Sequence, residues 1–74
     1  MYYHYYSVMA KDVCEKPFMK MVCVQTDENN INDNYTIVLN GVLTEFPLIN
    51  IMSIHFVVTS KHIISMPNCM VIKE

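Results

Sequence analysis

The chain's three histidines and three cysteines are the side chains best suited to hold a metal or act as nucleophiles. His55, His62 and Cys69 are evenly spaced, but no C-x2-C or H-x3-5-H pair accompanies them, and structural zinc sites are assembled from such local pairs. Even spacing in sequence does not converge side chains across a sheet, so packing or surface roles are expected and no metal site. The run Asp27-Glu28-Asn29-Asn30-Ile31-Asn32-Asp33 has the oxygen content of a calcium loop without its pattern. Read from Asp27, it puts Ile31 at the fifth position, Asn32 where glycine is needed and Val38 at the bidentate position. A solvated connection between elements is expected there.

Nucleophilic catalysis by a cysteine needs a neighbouring histidine and an orienting acid. Cys14, beside Glu15 and Lys16, is the cysteine with the most polar surroundings, yet nothing in the sequence brings His4, His55 or His62 to it. The single glycine, Gly41, cannot build an oxyanion or phosphate loop. The carboxylates, Glu45 included, form no recognisable catalytic pair. No catalytic residue and no cofactor are expected, and the chain reads as a non-enzyme. Asn34-Tyr35-Thr36 is formally a glycosylation sequon, an accident in a chain without an export signal.

One cluster points to binding. Tyr2, Tyr3, Tyr5 and Tyr6 surround His4 in a terminal segment that, as a strand, would present aromatics on both faces. Tyrosine is enriched at protein interfaces, where it offers large contact area, and aromatic platforms also stack single-stranded bases. These four residues are the candidate interface.

The elements that would position these groups are mainly strands. Seventy-four residues make one small domain, spanning 1–74, with 53% hydrophobic and 16% charged residues. So little charge leaves apolar groups on the surface of a monomer, which favours an oligomer or a bound partner. Arginine is absent, alanine and glycine occur once each, and Ile, Asn, Met, Lys and Tyr are plentiful. That skew resembles translation of an AT-rich genome, such as that of a large DNA virus. The net charge of −2 and the dispersed lysines lack the electrostatic footprint of a nucleic-acid binder. An odd set of Cys14, Cys23 and Cys69 is expected to be unbridged in a reducing compartment, cytoplasmic or nuclear. The amino-terminal segment has no signal-peptide pattern, and the longest uncharged run, Phe46 to Ser60, is too short to span a bilayer.

Tyr35–Leu39 and Val42–Phe46 flank Asn40-Gly41, which predicts a two-residue hairpin with those two residues at its tip. Ile49 to Thr59 reads as a strand with Met52, Ile54, Phe56 and Val58 on one side. Phe18 to Thr26, Tyr2 to Met9 and Cys69 to Lys73 read as further strands, with His62 to Met66 returning antiparallel after a turn at Ser60-Lys61. Ala10 to Lys16 is the place for a helical turn. The expected architecture is mainly β, a small antiparallel sheet or small barrel of five to six short strands with at most one short helical turn.

The functional expectation is a protein-interaction module, an accessory factor of a virus or other AT-rich genome, binding another protein or its own copy as a homo-oligomer, away from membranes. A single-stranded nucleic-acid binder of small-barrel type ranks second and a thiol-dependent enzyme third. A basic groove joining the early lysines to the tyrosines would favour the second, and a cysteine within hydrogen-bond reach of a histidine the third.

Overall fold

Two ten-residue strands, β1 (Tyr2–Lys11) and β2 (Pro17–Thr26), pair antiparallel from Tyr2 opposite Thr26 to Lys11 opposite Pro17 in the computed structural model, which describes residues 1–27, 34–66 and 68–73. The turn between them is organised by one side chain. Asp12 Oδ1 accepts from the backbone N–H of Cys14 at 2.8 Å and of Lys16 at 2.9 Å. Glu15 takes a φ of 62° to close it. The helical turn expected over Ala10–Lys16 is therefore absent: β1 runs on to Lys11, and Asp12 offers the backbone a tighter alternative to a helix.

Helix α1 (Asn34–Val42) follows, then a 3-10 turn at Leu48–Asn50, then β3 (Ile51–Ser60) and β4 (Met70–Lys73). The sheet has the order β3-β1-β2-β4. β1 is antiparallel to both its neighbours, and β4 is parallel to β2. β2, β3 and β4 thus share one direction, and parallel strands need crossover connections. The stretch containing α1 crosses one face of the sheet. The β3–β4 connection crosses the other, from one edge strand to the opposite edge. The result is a mixed, open four-stranded sheet and not a closed barrel, with four strands in place of five or six. Residues His62 to Met66 form the second crossover and no strand.

The predicted Tyr35–Phe46 hairpin is overturned, since α1 occupies Asn34–Val42. Its buried residues, Asn34, Val38 and Val42, recur at four-residue steps, with the part-buried Ile37 and Gly41 between them. That is the stripe of one helical face. Burying it on the sheet outweighs the local Asn-Gly turn preference, and Gly41 has no positive φ. Val38 and Val42 join Tyr6, Val8, Val22 and Val24 in the core, with Ile37, Phe46, Ile51, Ile54, Met70 and Ile72 packed around them.

β3 departs from simple alternation. Its register against β1 skips one residue at Met52 and another at Val57. Ile51, Ile54, Phe56 and Thr59 consequently pair with the helix-side residues Ala10, Val8, Tyr6 and His4, while Ser53, His55, Val58 and Ser60 pair across the other face. The expected stripe Met52-Ile54-Phe56-Val58 is broken by these two bulges. The polar run at 28–33, Pro67 and Glu74 lie outside the described residues. Among the described residues no helix is long and apolar enough to cross a membrane.

Candidate functional site

The sheet divides the four tyrosines of β1 between its faces. Tyr6 points into the helix-side core, edge-on to Phe56 with ring centroids 5.5 Å apart. Tyr5 faces the other side and is also buried. Tyr2 and Tyr3 are half-buried. Tyr2 lies stacked on His4, and Lys61 Nζ sits 5.8 Å from its ring centroid. A terminal strand baring four aromatics does not form, because both faces of β1 are covered by crossovers and β1 is an inner strand.

The histidines are dispersed. His4 is fully buried, with Nδ1 2.8 Å from Thr59 Oγ1 and Nε2 2.8 Å from Thr26 Oγ1. A neutral imidazole donates to one hydroxyl and accepts from the other. His55 lies exposed on β3, at one edge of the sheet, whereas Cys69 adjoins β4 at the opposite edge, so His55, His62 and Cys69 do not converge. Among the described residues no three His, Cys, Asp or Glu side chains gather to hold a metal. All three cysteines are free, Cys14 exposed in the β1–β2 turn and Cys23 buried.

The lysines of the β1–β2 turn, unlike Lys61, lie far from the amino-terminal tyrosines. Lys11 and Lys16 lie at the turn end of the first hairpin and Tyr2 and Tyr3 at its open end, about 30 Å apart at the rise of a strand. Lys20 Nζ is 3.8 Å from Glu45 Oε2.

Two features stand out. The first is a cavity of about 270 Å³ beneath the β3–β4 crossover. Tyr3 and Tyr5 from β1, Cys23 and Gln25 from β2, and Ile64, Met66 and Cys69 from the crossover line it. Tyr5 fastens the crossover: its hydroxyl accepts the Ile64 N–H at 2.8 Å and lies 3.4 Å from the Ile64 carbonyl. Burial pushes the Tyr5 hydroxyl above the usual tyrosine range, against the opposing effect of the Ile64 hydrogen bond. Burial likewise raises Cys23, against an opposing effect of the neighbouring Tyr5 hydroxyl, and Cys69, on which the Lys20 charge acts in the opposite sense. The second feature is β3 itself. It pairs with β1 alone among the described strands, and its ten residues include no Asp, Glu, Lys or Arg. Met52, Phe56 and Val57 are each about half exposed, at 53%, 49% and 48%, and Ile49 just before the strand is 89% exposed.

The sequence drew attention to neither feature. The cavity depends on a register that pairs Tyr5 with Cys23 and on a crossover from a remote segment. The bare edge depends on strand order, although the uncharged run from Phe46 to Ser60 was a signal for it. No family model matches the chain, and no curated protein or solved structure matches it.

Proposed function

We propose that this protein is a non-enzymatic protein-interaction module that associates through the outer edge of β3, with a second copy of the chain as its partner. The observation carrying this reading is the uncharged edge. Monomeric sheet proteins blunt such edges with lysine, proline or a covering element. Among the described residues β3 has none of the three, only its two bulges, and adds exposed apolar side chains at Met52, Phe56 and Val57. The bulges bend the strand, which confines regular pairing between copies to Ser53–Phe56 and leaves Met52 and Val57 to flank it. Two copies related by a twofold axis would set these stretches antiparallel and bury the same patch on both. Backbone hydrogen bonds would supply affinity and the flanking apolar groups specificity. The half-buried Tyr2 and Tyr3, on the adjacent strand, are secondary contributors to such a surface.

The separation of Lys11 and Lys16 from Tyr2 and Tyr3 disfavours a nucleic-acid groove, and the two threonine partners of His4 disfavour a cysteine–histidine catalytic pair. The viral or AT-rich origin and the reducing compartment rest on composition and thiol count. Light scattering across a concentration series tests the reading, together with titration of fluorescent single-stranded DNA and RNA at low and moderate salt. Association that persists as salt rises, without strand binding, is expected. A strict monomer that binds either strand with a steep salt slope would replace it with the nucleic-acid reading.

A further inference from the structure

We infer that the cavity beneath the β3–β4 crossover is a binding site for one soft monovalent cation of the Cu(I) type, held by the sulfurs of Cys23, Cys69 and Met66. All three residues line the same cavity, two thiols and a thioether from segments far apart in sequence. The sheet register sets both thiols on one cavity. Cys23 pairs with Val71 across β2 and β4, and Cys69 lies two residues before Val71, just ahead of β4. Soft sulfur donors select Cu(I) over harder ions.

The lining also says what the site would not take. Among the described residues no histidine or carboxylate borders the cavity, and the remaining polar groups are the neutral Tyr3, Tyr5, Gln25 and Ser65. Zinc in a structural site takes four nitrogen, sulfur or carboxylate ligands, and two thiols fall short of that. Two cysteines on one cavity also invite a disulfide, which the air-oxidation outcome of the test separates from an ion held between them.

Access fits the same assignment. Cys23 is buried, while Cys69 and Met66 are part-exposed, so the cavity is entered from the crossover side.

The test is anaerobic titration of the reduced full chain with Cu(I) against a chromophoric Cu(I) chelator, with Zn(II) in a parallel arm. Wild type and Cys14→Ser are expected to retain one Cu(I) per chain against the chelator and no stoichiometric Zn(II). Cys69→Ser, at a part-exposed position, is expected to lose retention while keeping the wild-type circular dichroism. Met66→Leu conserves volume and is expected to release the ion at lower chelator concentration, which keeps the test decisive if Cys23→Ser fails to fold. Undiminished retention in both Cys69→Ser and Met66→Leu would overturn the site. So would loss of retention in Cys14→Ser, tighter binding of Zn(II) than Cu(I), or a wild-type chain that retains no Cu(I) and closes a Cys23–Cys69 disulfide in air.

Discussion

Gly41 on α1 lies directly against Ile72 on β4: a Cβ built on the glycine would collide with Ile72 Cδ1 and stand 3.2 Å from its Cγ1. The chain's one glycine therefore serves close approach of a helix to a sheet and not the positive φ of a turn. Replacing it sets two effects against each other, since alanine favours a helix interior over glycine by about 1 kcal/mol while the added methyl overpacks the contact. Gly41→Val is expected to cost about 1–3 kcal/mol by overpacking. Gly41→Ala is expected to be more favourable, by about 0.5–1 kcal/mol, when Ile72→Val has removed the colliding Cδ1. Urea unfolding of the four proteins in that cycle measures the coupling, and additive effects would place Gly41 away from Ile72.

Tyr5→Phe removes the acceptor of the Ile64 N–H. Loss of one part-buried hydrogen bond costs about 1 kcal/mol, enough to open the crossover several-fold more often without unfolding the sheet. Cys23, shielded beneath it, should then react faster with an alkylating reagent while Cys14, exposed in the distant turn, keeps its rate. Mass spectrometry of time-resolved labelling reads both sites in one sample.

His4 bridges β2 and β3 through two threonine hydroxyls. Thr59→Val keeps the shape and deletes one of these two hydrogen bonds to a fully buried ring. The expected loss is about 1 kcal/mol of stability, read as a lower urea midpoint. A change within a few tenths of a kcal/mol would show that Thr59 is dispensable to the buried imidazole.

Glu15 holds a φ of 62° at the β1–β2 turn, a region unfavourable to a side chain with a Cβ. Glu15→Gly relieves that cost but adds freedom to the unfolded chain. The expected balance is stabilisation by up to about 1 kcal/mol, visible in thermal unfolding, with β1–β2 pairing unchanged.

Much of the sheet was legible in sequence, and the helix was not. The β-branched and aromatic content of Tyr2–Met9, Phe18–Thr26 and Ile49–Thr59 identified β1, β2 and β3 within two residues at most ends. Tyr35–Val42 misled because Ile37, Val38 and Val42 satisfy a helical stripe as well as a hairpin, and Asn40-Gly41 tipped the local reading toward a turn. What decides between them is the uncovered apolar face of β1 and β2, which α1 buries and a local window does not contain. The candidate interface suffered from the same limit. Tyr2, Tyr3, Tyr5 and Tyr6 stand out in sequence, yet strand order makes β1 an inner strand and leaves the outer position to β3.

The central claim is that β3 pairs two copies of this chain, and light scattering on a charged-edge variant tests it most directly. Met52→Lys with Val57→Lys changes two exposed, bulged positions and adds the charges that normally protect an edge. The wild type should approach twice the 8.7 kDa chain mass as concentration rises and fall toward it on dilution. The double variant should remain at the chain mass throughout, with an unchanged circular dichroism spectrum. A wild type fixed at the single-chain mass at every concentration, or a folded double variant that associates as the wild type does, would contradict the account.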